Sequence, residues 1–112
     1  MTPTQLSLKH LRTEGYTCAV VERWNQYARI RQDLYGCIDI LAIRPGATLA
    51  VQTTAAPHAS ERLKKMEGLE SVLTMILAGW RVVVHEWGKR GARGKRKTWT
   101  LREIQVHRGE TL

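Results

Sequence analysis

The feature that most constrains the fold is an aspartate inside an apolar segment. Residues 37–43 read Cys-Ile-Asp-Ile-Leu-Ala-Ile, and a nearly continuous apolar run of this length is typical of a buried β-strand. A carboxylate among such neighbours is costly unless it is paired, hydrogen-bonded or bound to a metal. Asp39 therefore indicates either a functional site or an aspartate at a strand end that accepts backbone hydrogen bonds in a turn.

The segments around this strand predict a mixed sheet covered by helices. Residues 2–5 (Thr-Pro-Thr-Gln) are typical of a helix start with a capping box. We predict helices from there to about residue 14 and over 60–78, and strands over 16–24, 37–43, 48–54, 81–87 and 98–106. The order αβββαββ predicts one α/β domain over residues 1–112, with helices flanking a mixed sheet.

A second polar position lies in the strand that follows. The short turn Arg-Pro-Gly at residues 44–46 joins strands 37–43 and 48–54, which predicts an antiparallel hairpin. Since side chains alternate along a strand, Asp39 shares a side with Leu41, and Gln52 shares a side with Thr54. The pattern predicts that Asp39 and Gln52 lie on a common face of the sheet.

The second helix carries two cations within its apolar stripe. This stripe comprises Leu63, Met66, Leu69, Val72, Leu73, Ile76 and Leu77. At helical spacing, Arg62 falls near the middle of the apolar arc, Lys65 lies just inside its edge, and Lys64 points to the opposite side. Two cations aimed at the sheet need an anionic partner, either Asp39 or a phosphate bound near the helix N-terminus. Alternatively, both side chains extend their charges to the rim.

The net charge is concentrated in one segment. The chain has 18 Lys and Arg against 10 Asp and Glu, a formal net charge of +8. Within residues 89–97 the basic side chains are Lys89, Arg90, Arg93, Lys95, Arg96 and Lys97. Such a segment attracts a polyanion through counterion release, and Trp87 and Trp99 flank it as candidate stacking surfaces. We therefore predict nucleic-acid binding; the alternative is a solvated loop that aids solubility.

Several other classes of protein are disfavoured. The chain has no apolar run approaching the roughly 20 residues that a membrane span needs, and it lacks the order of a signal peptide, so we predict a cytoplasmic protein. Cys18 and Cys37 are far apart and have no nearby histidine at zinc-site spacing. Buried, reduced thiols without a structural zinc are therefore expected.

The predicted element order and three short motifs resemble the PD-(D/E)XK nuclease superfamily, whose fold is restriction-endonuclease-like. Residues 36–39 (Gly-Cys-Ile-Asp) look like its GxxD segment, and residues 51–54 (Val-Gln-Thr-Thr) stand where it places a (D/E)-x-K motif. Residues 79–84 (Gly-Trp-Arg-Val-Val-Val) are similar to the helix-to-strand ending of the compact VRR-NUC and Holliday-junction-resolvase-like branches. The resemblance covers residues 3–87.

This resemblance implies a nuclease that uses Mg²⁺ or Mn²⁺ to hydrolyse DNA phosphodiester bonds. Asp39 would be a metal ligand, and Gln52 occupies the position of the second acid. Thr54 stands at the lysine position, where a hydroxyl cannot replace an ammonium electrostatically. Either Lys65 or Arg62 then takes the role of the lysine, or catalysis has been lost. Glu22 is a further candidate metal ligand, or a rim glutamate paired with an arginine.

The sequence is compatible with three candidate functions. The first is a structure-selective endonuclease of phage or mobile-element type, in which Arg29 and Arg31 line the approach and the basic loop holds the DNA backbone. The resemblance also implies a homodimer. The second is a degenerate nuclease fold that only binds nucleic acid. The third is a protein-interaction or inhibitor protein whose basic loop pairs with an acidic partner. Fold alone does not choose among them.

Overall fold

A mixed five-stranded sheet with helices on both faces forms the centre of the protein. The computed structural model describes residues 1–107. Its elements in chain order are α1 (Pro3–Thr13), β1 (Thr17–Val20), β2 (Arg23–Asn25), β3 (Ile30–Gln32), β4 (Ile40–Arg44), β5 (Ala47–Ala55), α2 (Ala59–Glu67), α3 (Glu70–Leu77), β6 (Arg81–Arg90) and β7 (Thr98–Gln105). The predicted α/β class is therefore confirmed, with three helices and a mixed sheet.

The strand order in the sheet is β1-β4-β5-β6-β7. Strands β5 and β6 are parallel, and the other neighbouring pairs are antiparallel. The predicted hairpin around residues 44–46 is confirmed as β4–β5. Because β5 and β6 run in the same direction, the chain must cross over between them, and α2 and α3 form this crossover.

Helix α1 begins as predicted and covers one face of the sheet. The hydroxyl of Thr2 accepts the N–H of Gln5 at 3.2 Å, and the side chain of Gln5 accepts the N–H of Thr2 at 2.9 Å, which completes the capping box. Beneath the helix, Leu11 and Tyr16 pack against apolar side chains of β4, β5 and β6. This layer fixes the positions of β4, which Asp39 directly precedes, and of β5, which carries Gln52.

A buried polar network also joins α1 to the sheet. The indole N–H of Trp87 donates to the hydroxyl of Ser7 at 2.8 Å, and that hydroxyl lies 2.9 Å from Nδ1 of His85. On the other side of the ring, Nε2 of His85 lies 2.9 Å from a carboxylate oxygen of Glu103, and this hydrogen bond lowers the pKa of Glu103. Ser7 and His85 are fully buried. The serine, histidine and acid therefore stabilise packing, because no substrate can reach the hydroxyl.

Helices α2 and α3 cover the opposite face, where one continuous helix was predicted. That prediction is wrong: α2 ends at Glu67, and Leu69 has extended backbone (φ −90°, ψ 128°) before α3 begins. Gly68 stands at the break, and glycine weakens a helix interior. The break changes which side chains face the sheet, so Leu77 is 63% exposed although the periodicity placed it in the core.

The segment between β1 and β4 also differs from the prediction. Residues 16–24 do not form one strand, because β1 ends at Val20 and the chain leaves the sheet. Residues 23–32 fold back as the separate antiparallel hairpin β2–β3, although no strand was predicted between residues 24 and 37. We refer to residues 23–32 as the aromatic hairpin. Its short strands and polar composition hid it from a search for hydrophobic alternation.

No helix in the described part of the chain has both the length and the apolar character needed to cross a membrane.

Candidate functional site

A cavity of about 1160 Å³ opens between the aromatic hairpin, the start of β4, the end of β5 and helix α2. The predicted residues that line it are Glu22, Arg31, Asp39, Gln52, Arg62 and Lys65. The structure thus brings together most of the predicted acidic, amide and cationic side chains, although they come from four separate segments of the chain. Asp33 and Thr53 also line the cavity, and the sequence analysis did not single them out.

Asp39 is held at the base of the cavity by its backbone and its side chain. Its N–H donates to the carbonyl of Val51 at 2.9 Å, and its carbonyl accepts the N–H of Val21 at 2.8 Å. One carboxylate oxygen accepts hydrogen bonds from Nε2 of Gln52 at 2.7 Å and from the backbone N–H and hydroxyl of Thr53 at 2.8 and 3.1 Å. The predicted common face for Asp39 and Gln52 is therefore confirmed.

The environment of Asp39 favours the protonated carboxyl. Burial raises its pKa to about 7, hydrogen bonds from Thr53 oppose this rise, and the neighbouring carboxylates of Asp33 and Glu22 add to it. The residue is only 4% exposed. A carboxyl group with such a raised pKa needs a compensating positive charge to ionise fully at neutral pH. A bound cation would supply that charge.

Two more carboxylates approach Asp39. Glu22 and Asp33 each offer an oxygen, and these oxygens and one of Asp39 all lie within 4.8 Å of one another. We call these three residues the acidic cluster. Glu22 directly precedes the aromatic hairpin and Asp33 directly follows it, so hairpin formation brings both carboxylates to Asp39. Glu22 also pairs with Arg31 at 2.9 Å, so both of its predicted roles, paired rim glutamate and member of an acidic site, are compatible with its position.

The two predicted cations of α2 line the same cavity. Lys65 donates from Nζ to the carbonyl of Gly36 at 3.3 Å, and both Lys65 and Arg62 have exposed side chains. Both side chains therefore reach the cavity while remaining exposed, which is compatible with either predicted alternative, an anionic partner or charges extended to the rim. The acidic cluster and both cations line this one cavity.

Gln52 and Thr54 differ in their relation to the cavity. Gln52 donates through its amide nitrogen to Asp39, so in this arrangement it orients the carboxylate. Thr54 is buried, does not line the cavity, and donates to the carbonyl of Ala55 at 3.3 Å. The register of β5 explains this difference. Its residue Val51 pairs with Ile40, where β4 begins, so Thr54 has no partner in β4 and is paired only with Glu86 of β6. The residue of β5 that reaches the site with Gln52 is Thr53.

The cysteines are free thiols as predicted, but only Cys37 is buried, and Cys18 is half-buried. Cys18 and Cys37 are both unpaired thiols. Burial raises the pKa of Cys37 to about 11, although the charge of Lys65 opposes this rise. The thiol of Cys37 is therefore protonated at neutral pH, and the chemistry of the cavity rests on oxygen and nitrogen groups.

The basic segment forms the exposed end of the β6–β7 hairpin. Residues 89–97 are all exposed, including Lys95, Arg96 and Lys97. Lys89 lies over the ring of Trp99, 5.1 Å from its centroid. Arg90 is different, because it pairs with the buried carboxylate of Glu86.

The proposed stacking role of Trp87 is wrong, whereas Trp99 remains a candidate. Trp87 is buried and donates to Ser7. Strand alternation explains the difference, because the side chains of Trp87 and His85 point to the α1 face of the sheet. Trp99 lies on the edge strand β7 and is 41% exposed.

The cavity and the basic segment lie toward the same end of the sheet. Thr53 is the register partner of His85 on the parallel strand β6. From His85 the strand continues for five residues to Arg90, a length of about 17 Å at 3.3 Å per residue. A polyanion that crosses this end of the molecule can therefore contact both regions.

The residues that the sequence analysis missed carried weak signals. Asp33 follows a short polar strand, and Thr53 alternates with Gln52 and so was expected to face away from it. Glu86, a buried acid that contacts Arg90 at 2.6 Å and Arg102 at 3.5 Å, is a charged residue inside the predicted strand 81–87. Like Asp39, Glu86 is an acid inside a predicted apolar strand, but it is ion-paired and does not line the cavity.

Comparisons with models of protein families, with curated proteins and with solved structures found no match to this chain.

Proposed function

We propose that the protein is a metal-dependent nuclease of the PD-(D/E)XK type that hydrolyses DNA phosphodiester bonds. The observation that carries the proposal is the acidic cluster, Glu22, Asp33 and Asp39, whose oxygens lie within 4.8 Å of one another in a cavity that Lys65 also lines. Carboxylates beside a cation are the groups that phosphodiester hydrolysis needs at a single site.

The donor atoms of the cluster fit a hard divalent cation. Mg²⁺ and Mn²⁺ prefer carboxylate oxygens, and ligand atoms on opposite sides of Mg²⁺ are about 4 Å apart. The oxygens of the cluster lie within 4.8 Å of one another, whereas two ligand oxygens of one Mg²⁺ are at most about 4 Å apart. Side-chain rotation toward a common centre would therefore allow Glu22, Asp33 and Asp39 to hold one ion. When bound, such an ion would polarise the phosphate and activate a water molecule.

The other side chains of the cavity have complementary roles in this proposal. Gln52 and Thr53 fix the orientation of the Asp39 carboxylate through their hydrogen bonds. Lys65 and Arg62 would bind the phosphate and offset the charge that develops on it. Lys65 thereby takes the role for which Thr54 is unsuited.

The topology is compatible with a restriction-endonuclease-like core. The antiparallel strands β1, β4 and β5 lie side by side, and the helical crossover α2–α3 leads to β6, parallel to β5. The acidic cluster lies beside the end of β5, where the resemblance in sequence also points. We therefore propose a restriction-endonuclease-like core for this protein.

Cleavage assays with matched variants test the enzyme hypothesis. Wild type should cleave at least one member of a panel of duplex, nicked, branched and single-stranded DNA in Mg²⁺ or Mn²⁺, whereas Asp39→Ala should lose cleavage and retain most of its DNA affinity. Glu67→Gln, which changes an exposed acid of α2, is the matched control and should cleave normally. Equal trace activity in wild type and Asp39→Ala would indicate a contaminant and contradict the proposal.

A nucleic-acid-binding module without catalysis is the second candidate function. The position of Thr54 outside the cavity and the separation of the basic segment from the acidic cluster favour it. Such a module would bind DNA in the presence of a chelator, with a steep salt dependence, and would cleave no substrate. A protein-inhibitor role would instead give no appreciable DNA affinity at physiological salt.

A further inference from the structure

The aromatic hairpin exposes large apolar side chains without covering them. Trp24 is 60% exposed, Tyr27 is 92% exposed, and Ile30 of the same hairpin is 51% exposed. The hairpin forms a two-stranded sheet of its own, outside the main sheet. Trp24 pairs with Arg31 and Ile30 with Asn25, so Trp24 and Ile30 lie on opposite faces of the hairpin. Two aromatic rings this exposed on one short hairpin are candidates for contact with a partner.

The hairpin turn is fixed before any partner binds. The side-chain oxygen of Asn25 accepts the backbone N–H groups of Tyr27 and Ala28, both at 3.0 Å. Its amide nitrogen donates to Gln32 across the hairpin at 3.2 Å. These bonds hold the turn that carries Tyr27 in one conformation. A partner therefore meets an organised surface and has less conformational entropy to remove.

The charge of the aromatic hairpin indicates which class of ligand it would bind. Residues 23–32 (Arg-Trp-Asn-Gln-Tyr-Ala-Arg-Ile-Arg-Gln) contain three arginines and no acid. Trp24 and Arg31 are register partners on adjacent strands, so their side chains leave the hairpin on the same face. Aromatic rings beside arginines suit a ligand that has both flat bases and phosphates.

The hairpin is also joined directly to the acidic cluster. Glu22 and Asp33, which flank it in the chain, supply two of the three carboxylates. Arg31 of the hairpin pairs with Glu22 at 2.9 Å. Arg23, Arg31 and Gln32 of the hairpin line the cavity that Arg62 and Lys65 also line. A nucleotide bound to the hairpin would therefore lie next to this cavity.

We propose that the aromatic hairpin binds unpaired nucleotides of DNA by stacking them on Trp24 and Tyr27, next to the phosphodiester bond that enters the cavity. In a duplex the faces of the bases are covered by neighbouring bases, so only an unpaired base can stack on a protein ring. The substrate class of the nuclease is then DNA with unpaired nucleotides beside the scissile bond. This assignment of substrate rests on the proposed function, whereas the binding preference rests on the hairpin alone.

Binding measured without cleavage tests the inference. Fluorescence anisotropy in a chelator would compare three labelled probes: a single strand, the matching blunt duplex, and the duplex with a bulge of unpaired thymines. The double variant Trp24→Ala/Tyr27→Ala should bind the single strand and the bulge at least about tenfold more weakly than wild type, with little change for the duplex, because the variant loses two stacking contacts. Trp24→Phe, which keeps a ring, should retain most of the preference.

Leu77→Ala, which shortens an exposed apolar side chain on α3, is the matched control and should bind all three probes as wild type does. Trp24 and Tyr27 are largely exposed, so circular dichroism should show a folded double variant. Unchanged affinity for the single strand and bulge, or an equal loss for all three probes, would overturn the inference. After the first of these results, a protein partner would be the alternative ligand of the rings to test.

The two proposals can fail separately. If wild type cleaves DNA in Mg²⁺ while its binding preference does not depend on Trp24 and Tyr27, the nuclease stands and the stacking inference fails. If the preference depends on both rings while no metal supports cleavage, stacking stands and the nuclease fails, along with the substrate assignment.

Discussion

At Asp39, burial and hydrogen bonding act on the carboxyl group in opposite directions. Burial and the neighbouring acids favour the protonated form, and the bonds from Thr53 favour the carboxylate, with a resulting pKa of about 7 against an ordinary value of 3.8. Between these two values the folded protein binds more protons than the unfolded chain. The free energy of unfolding should therefore fall as pH rises through this window, because the buried group loses its proton.

The substitution Asp39→Asn tests this pH dependence. Asparagine has the same shape but does not titrate, so the variant should gain stability relative to wild type as pH rises from about 4 to about 7. Because each unit of pKa shift corresponds to about 1.4 kcal/mol, the gain in the free energy of unfolding should reach up to a few kcal/mol. Urea unfolding of both proteins at about pH 5 and about pH 8, without divalent ions, measures the difference. Glu67→Gln should follow wild type. Parallel profiles for wild type and Asp39→Asn would contradict the expectation.

At the scale of elements, the β6–β7 hairpin contains two classes of cation. Arg90 pairs with the buried carboxylate of Glu86, which Arg102 also approaches, so its first role is to balance that charge. Lys95, Arg96 and Lys97 are exposed at the end of the hairpin, where they are available to phosphates. The basic segment predicted from sequence therefore divides into a cation paired within the protein and cations exposed at its surface.

Replacement of Lys95, Arg96 and Lys97 by alanine should weaken DNA binding at low salt. It should also reduce the slope of log K against log[salt] by about 2 to 3, because each phosphate contact contributes about 0.9 to this slope for a duplex. Titrations at several salt concentrations measure this slope. The matched control replaces three exposed cations elsewhere, Lys9, Arg12 and Lys64, and should leave the slope nearly unchanged. An equal reduction in both variants would mean that DNA does not select the hairpin.

At the scale of the whole molecule, parallel pairing of β5 and β6 sets how far along the strand from the cavity the basic segment begins, with Lys95, Arg96 and Lys97 beyond that point. Five residues of β6 separate the register partner of Thr53 from Arg90, about 17 Å. This length equals about five base pairs at 3.4 Å each. One bound DNA can therefore reach both regions if it extends far enough past the cavity.

A series of shortened substrates tests this arrangement. Binding and cleavage should decline when fewer than about five base pairs remain on one side of the scissile bond, and shortening the other side should have less effect. Anisotropy and cleavage assays on the same series measure both quantities. The Lys95, Arg96 and Lys97 variant should lose the dependence on length, because it lacks the distant contact. A length dependence that is the same on both sides would contradict this geometry.

Much of the fold follows from local sequence patterns. The capping box at Thr2, the hairpin at residues 44–46 and the apolar strands depend on neighbouring residues, so the sequence alone predicts them. The break between α2 and α3 was missed, because Leu63, Met66 and Leu69 continue the helical spacing up to it. Only packing against the sheet decides whether a helix containing Gly68 continues or bends.

The sequence by itself determined that Asp39 is anomalous, that it shares a face with Gln52, and that Lys65 points toward the same region. Each conclusion depends on the fixed periodicity of one strand or one helix. Only the tertiary structure decided that Glu22 and Asp33 join Asp39, that Trp87 is buried, and that Thr54 lies outside the cavity. These facts depend on where β1 leaves the sheet, where β4 begins and how the aromatic hairpin folds back, and such contacts join residues distant in the chain.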